Sequence, residues 1–180
     1  MNPEKVIVVY FSRTGKTKAI AREISNKLGC AIEEIKTPVS YSGFLGYQMA
    51  AIQATFGMTP EIKSLQSNLN DFDLVILGGP VWAGGICGPL RSFIQNYKKD
   101  FKNVAFIATQ RGNSGRLRIF DKLQVSTGRP PLAALSVTER DFKSGLYRNN
   151  ISAFLNKLSL SNPKIGRRRV AAREEAETNF

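Results

Sequence analysis

Three short stretches gather the residues that could do chemistry. The first is Ser12-Arg13-Thr14-Gly15-Lys16-Thr17. Its hydroxyls, its cations and the N–H groups of a helix starting there suit a phosphate, because a helix N-terminus leaves donors unpaired and partly positive. Gly15 lets the backbone approach such a ligand closely. The plainer reading of the same residues is a helix N-cap at Ser12 or Thr14. The second stretch, Gly79-Pro80-Val81-Trp82-Ala83-Gly84-Gly85, holds the single tryptophan of the chain. A tryptophan among glycines can serve as a stacking platform or as a partly buried loop anchor. The third, Thr109-Gln110-Arg111-Gly112-Asn113-Ser114-Gly115, offers amides and small residues to a polar ring edge, though a bare strand-to-helix turn reads much the same.

Other chemistry is excluded. The chain has no histidine, which removes Ser-His-Asp and Cys-His nucleophilic sites, HExxH zinc proteases and most His-ligated metals. Cys30 and Cys87 match no CxxC or zinc-ligand spacing and are expected as reduced, packed thiols in a cytoplasmic protein. Glu33–Glu34 and Glu174–Glu175 are the only adjacent acids and read as solvated surface. No catalytic side chain and no metal site is expected. The Walker loop needs a glycine where Tyr10 stands, and the GxGxxG fingerprint is absent.

The elements that must position these stretches follow from apolar runs. A chain of 180 residues, 42% hydrophobic and 22% charged, has the size and balance of one globular domain. Val6 to Phe11 is continuously apolar, as in a parallel strand buried on both faces, and is too short for a membrane span or a signal sequence. A helix is predicted from Thr17 to Leu28, with Ala19, Ile20, Ile24 and Leu28 on one face and Gly29 as its stop. Ala31 to Ile35 reads as an edge strand. Leu74 to Leu77 reads as a strand broken by Gly78-Gly79-Pro80. Pro89–Tyr97 reads as a helix, Val104–Ala108 as a strand, and Leu117–Leu123 as a helix. Leu132–Val137 is predicted as the last strand and Tyr147–Leu158 as the last helix. Strands alternating with helices argue for an α/β fold with a parallel sheet covered on both faces. Residues 1–163 form the expected domain. Residues 164–180 read as a basic, polar tail or a short charged helix.

Two motifs in this order carry a resemblance. Val9-Tyr10-Phe11-Ser12-Arg13-Thr14-Gly15-Lys16-Thr17 resembles the FMN-phosphate loop of flavodoxins. Asp73 to Gly84 is similar to their third strand and flavin-stacking loop, and the likeness extends over roughly residues 5–158. It implies a flavodoxin-like, five-stranded parallel sheet of order 2-1-3-4-5 with helices on both faces. It further implies FMN as cofactor, with Ser12, Arg13, Thr14, Gly15, Lys16 and Thr17 at the phosphate. Pro80, Val81, Trp82, Ala83 and Gly84 would lie against one flavin face, and Thr109, Gln110, Arg111 and Gly112 along the pyrimidine side. Lys16 stands where the family usually has asparagine, which adds charge suited to a phosphate dianion.

The formal net charge of +12 departs from a family that is usually acidic; it divides as +3 over residues 1–70, +7 over 71–163 and +2 over 164–180. Such a balance suits an acidic partner. The leading reading is an FMN electron carrier between redox partner proteins with acidic docking surfaces. The alternatives are an FMN-dependent NAD(P)H oxidoreductase acting on quinones or small acceptors, and a cofactor-free basic binding module. Arg111, Arg116, Arg118, Lys122 and Arg129 form the patch expected to steer partners. Tyr41, Phe44, Tyr47, Met49 and Phe56 could border the flavin or pack in the core. Arg167-Arg168-Arg169 is expected as solvated tail rather than a nucleic-acid contact.

Overall fold

The computed structural model describes residues 5–38, 41, 46, 48, 56–112 and 116–178. Among these, strands β1 (Val6–Tyr10), β2 (Ala31–Glu34), β3 (Leu74–Trp82), β5 (Asn103–Gln110) and β6 (Pro131–Thr138) run parallel in the order β2-β1-β3-β5-β6. Strand β4 (Gly85–Ile86) pairs antiparallel with the end of β3. With that short hairpin set aside, this is the expected five-stranded 2-1-3-4-5 sheet. Helices α1 (Lys16–Leu28), α2 (Gly88–Tyr97), α3 (Arg116–Thr127), α4 (Glu139–Ser144), α5 (Tyr147–Ser161) and α6 (Pro163–Thr178) alternate with the strands or follow them.

Strand β1 is buried at every residue, which is why its sequence is apolar without alternation. Its two faces feed two cores. Ile7 and Val9 pack with Val75, Leu77, Phe93, Phe106, Ile119 and Leu123 under α2 and α3. Val6, Val8 and Tyr10 pack with Ile20, Ile24, Leu28, Phe154 and Leu155 under α1 and α5.

Several expectations change. In α1 the buried face is Thr17, Ile20, Ala21, Ile24, Ser25 and Leu28, and Ala19 is exposed, because the 3.6-residue period from Ile20 carries through Ile24 and Leu28. Gly78-Gly79-Pro80 does not break β3, which continues through all three residues to Trp82. Gly78 pairs with both Tyr10 and Ile107, whereas Gly79 and Pro80 pair only with β5. Beyond Gly78 the β1 side of the ladder has ended, and proline's missing N–H is tolerated at such an edge. The two glycines allow close packing: a Cβ on Gly79 would meet Leu90 Cδ2 at 2.8 Å and Cys87 Sγ at 3.2 Å.

Glu33 and Glu34 are not simply solvated. Glu33 accepts from the N–H groups of Gln66 and Ser67 at 2.6 and 3.1 Å, while Glu34 accepts from Tyr10 and Lys18 at 3.2 and 3.1 Å. Phe44, Tyr47 and Met49 lie outside the described residues, as do Asn113, Ser114 and Gly115. Tyr41 is buried and Phe56 is 77% exposed. No helix among the described residues is long and apolar enough to cross a membrane.

The stretch read as a polar tail or a short charged helix lies in a sixteen-residue helix, α6. Ile165 is buried in the α1–α5 core. Arg168 donates from Nε to the Leu28 carbonyl at 2.8 Å and from Nη2 to the Gly29 carbonyl, and Arg169 donates to Asn156 Oδ1 at 2.6 Å. A guanidinium on the last carbonyls of α1 also complements the negative end of that helix.

Gly29 ends α1 at φ +55°, and a Cβ there would stand 3.0 Å from Ala172 Cβ on α6. The left-handed backbone alone costs a non-glycine residue about 1–2 kcal/mol. Gly29→Ala should therefore lower unfolding stability by at least that amount in urea titration. A loss no larger than that backbone cost would mean that α6 does not hold this close approach in solution.

Candidate functional site

The carboxyl ends of β1, β3, β5 and β6 open into one cleft of about 500 Å3. Parallel sheets leave their ligand crevice at this edge. Arg13, Thr14 and Lys16 line it from the first loop and the start of α1, Pro80, Val81, Trp82 and Ala83 from the end of β3 and the turn after it, and Thr109, Gln110 and Arg111 from the end of β5 and the residue beyond it. The three stretches singled out by sequence thus meet in space.

The first loop curls on itself, with the Gly15 N–H donating to Ser12 Oγ at 3.1 Å. Helix α1 then starts from Gly15 without a side-chain cap and without an acid in its first turn. Its leading N–H groups therefore face a region that Arg13 and Lys16 make more positive, an arrangement suited to an anion.

Lys16 has a partner that the sequence reading did not foresee. Its Nζ lies 2.9 Å from Glu139, and Lys143 stands 3.4 Å from the same carboxylate oxygen. Hydrogen bonds from Lys16 and Lys143, then their charges, hold the Glu139 carboxyl below the usual carboxylate range. Glu139 opens α4, whose start is fixed by a capping box between Thr138 and Asp141.

Trp82 does not sit in a loop. It is the last residue of β3, 9% exposed. Phe11 meets it edge-on at 5.7 Å between centroids, and Tyr41 lies tilted against it at 5.3 Å. It borders the cleft while anchored in the core. The turn after it consists of Ala83 and Gly84, with φ +47° and +70°. Positive φ at both central residues is the two-residue hairpin turn that matches strand twist. Ala83 is the one non-glycine residue with positive φ among the described residues. Lys122 from α3 donates to the Gly84 carbonyl at 2.9 Å, fastening the turn.

Five of the fifteen expected site residues do not line the cleft. Ser12 lies on a neighbouring pocket, and Gly15, Gly84 and Gly112 sit off the wall. Thr17 is buried beneath it, with its hydroxyl 2.8 Å from that of Thr109. Ile20, Val137, Thr138, Glu139 and Phe142 complete the lining and were missed. Gln110 is held by its Nε2 donating to Ser136 Oγ at 3.0 Å. Neither thiol is suited to nucleophilic chemistry. Burial pushes Cys87 up to about 12 and Cys30 up to about 11.

The family profile described as Flavodoxin matches residues 5–135 of the chain. No curated protein matches the sequence. Among solved structures, a Lactobacillus acidophilus flavoprotein in complex with FMN is similar at TM-score 0.63 and 21% identity, covering 81% of this chain and 99% of that one. Its apo form, solved by NMR, is similar at TM-score 0.59 and 20% identity, covering 79% and 97%. A flavodoxin, WrbA-like protein from Agrobacterium tumefaciens is similar at TM-score 0.53 and 15% identity, covering 95% and 98%. At these identities the structures show a shared fold.

The buried hydroxyl pair ties α1 to β5 directly under the cleft. Thr17→Val keeps the shape and leaves the Thr109 hydroxyl without that partner, at a cost of about 1–3 kcal/mol. Removing both hydroxyls, with Thr109→Val added, should cost less than the two single changes summed. Strictly additive losses in a double-mutant cycle would show that the pair contributes no coupling.

Proposed function

This chain belongs to the flavodoxin family, and we propose that it holds FMN in the cleft and works as an electron carrier between protein partners. The observation that carries this reading is the uncapped, acid-free start of α1 opening into the same cleft as Trp82 and Thr109. When bound, FMN supplies the redox chemistry, and the protein supplies placement and electrostatics.

In this reading the first-turn N–H groups of α1, the Ser12 and Thr14 hydroxyls and the Arg13 and Lys16 cations hold the phosphate. Glu139 is then a competitor for Lys16, so the lysine can exchange one anion for another. The Pro80–Gly84 hairpin covers one face of the ring, its position set by the Phe11–Trp82–Tyr41 cluster and by Lys122. Thr109, Gln110, Arg111 and Gly112 border the polar ring edge. Two free thiols accord with a reducing compartment such as the cytoplasm.

Two measurements test the site. The purified protein should carry flavin absorbance, and FMN added to apoprotein should strongly quench Trp82, whose emission is the only tryptophan signal. Thr14→Ala removes one charge-assisted bond worth about 1.5–3 kcal/mol, so FMN should bind about 10- to 100-fold more weakly, with riboflavin unaffected. FMN binding equal to the parent's would take the phosphate away from this loop. Steady NADPH oxidation without an added reductase would favour an oxidoreductase over a carrier.

The basic surface makes a second claim. Arg111 lines the cleft and is exposed. One charge ~10 Å from a flavin that gains negative charge on reduction is worth about 1–2 kcal/mol before screening, which is some tens of millivolts. Arg111→Gln should lower the flavin's reduction potential on that scale. Exchange with an acidic redox partner should slow as salt rises. A potential that does not move in a redox titration would separate the basic surface from flavin tuning.

A further inference from the structure

A second pocket of about 390 Å3 lies against the carboxyl ends of β1 and β2 and shares Arg13 with the principal cleft. Its floor is apolar, formed by the buried side chains of Phe11, Ile35 and Tyr41. Its rim carries three cations, Arg13, Lys36 and Lys63. The Lys63 N–H donates to the Lys36 carbonyl at 2.8 Å, which sets the two lysines side by side.

Among the described residues, little opposes the charge of the two lysines. Glu34 is the only carboxylate lining the pocket among the described residues, and its Oε2 already accepts from Tyr10 and Lys18. Glu33 is committed to the N–H groups of Gln66 and Ser67. Glu61, close to Lys63 in sequence, is exposed and does not line the pocket. Residues 39–55 contain no Asp, Glu, Lys or Arg, so that stretch brings no counter-charge wherever it runs.

A cationic rim over an apolar floor fits a ligand with an apolar body and a doubly charged end. A phosphate dianion matches the paired lysines better than a single carboxylate does. The pocket also lies at the sheet edge where parallel folds take their ligands, and its size is within the usual range of small-molecule sites. We propose that this pocket binds a second small organic phosphomonoester, its phosphate held by Lys36 and Lys63 and its apolar body over Phe11 and Tyr41. The two lysines are distinct from the residues of the FMN reading, and Ser12 and Arg13, which also line this pocket, are assigned there to the FMN phosphate.

Calorimetric titration of the full chain, with and without saturating FMN, tests this. The probe is 5′-AMP; adenosine, inorganic phosphate and a short glutamate peptide are the comparisons. AMP should bind in both conditions, at least tenfold more tightly than adenosine or inorganic phosphate, and more weakly as salt rises. Lys36→Ala combined with Lys63→Ala should weaken AMP at least tenfold while FMN affinity stays within twofold. The proposal is overturned if AMP does not saturate or is displaced by FMN, or if the double variant binds it as the parent does. It is equally overturned if the glutamate peptide binds more tightly than AMP. Failure of FMN to bind would be read separately and would leave the AMP result standing.

Discussion

A strand sheathed on both faces has nowhere to put a polar side chain except beyond its end. This constraint governs β1, β3 and β5, whose interiors are buried along nearly their whole length. Every hydroxyl, amide and cation with a chemical use is therefore pushed to the carboxyl edge of the sheet. The register does the rest. Tyr10 pairs with Gly78, and Gly78 pairs with Ile107, so the three strands run out within a few residues of one another. Loops far apart in sequence are delivered to one place by backbone pairing, before any side chain chooses a partner.

The charge at that edge is organised by α1. Its N-terminus meets the cleft without an acid of its own, and the guanidinium of Arg168 covers its last carbonyls. The one carboxylate on the cleft wall among the described residues, Glu139, comes from α4 and is held between two lysines. Positive potential is thus the default of this edge. The local acids are committed to named partners rather than left to balance it.

Much of this was legible in the chain because two-face burial writes itself as an unbroken apolar run. Val6–Tyr10, Leu74–Leu77 and Val104–Ala108 are such runs, and the stretches that follow them bring Thr14, Trp82 and Arg111 to the cleft wall. What was not legible depended on distance or on local exceptions. Gly78-Gly79-Pro80 carries the local signature of a break, yet the ladder to β5 carries the strand through it. The β3–β4 hairpin was hidden because Ala83 occupies a turn position where glycine or asparagine is the usual signal. Glu139 and Phe142 belong to the site only because β6 lies beside β5, although Thr138 to Asp141 does carry a readable helix start. The arginine-rich end looked like solvated tail by composition. Arg168 finds its partners across the sheet's outer layer, which no local pattern encodes.

The Thr17–Thr109 pair has one more consequence. Two hydroxyls 2.8 Å apart share a single hydrogen, and either oxygen can supply it. If Thr17 gives the hydrogen, that of Thr109 is left over for the cleft. If Thr109 gives it, a lone pair is left over instead. Hydroxyl hydrogens turn about the C–O bond without moving a heavy atom. The floor of the cleft is therefore amphoteric in hydrogen bonding, able to meet a ligand atom equally well before and after that atom takes on a proton. A rigid amide or carbonyl in the same position would favour only one of the two forms.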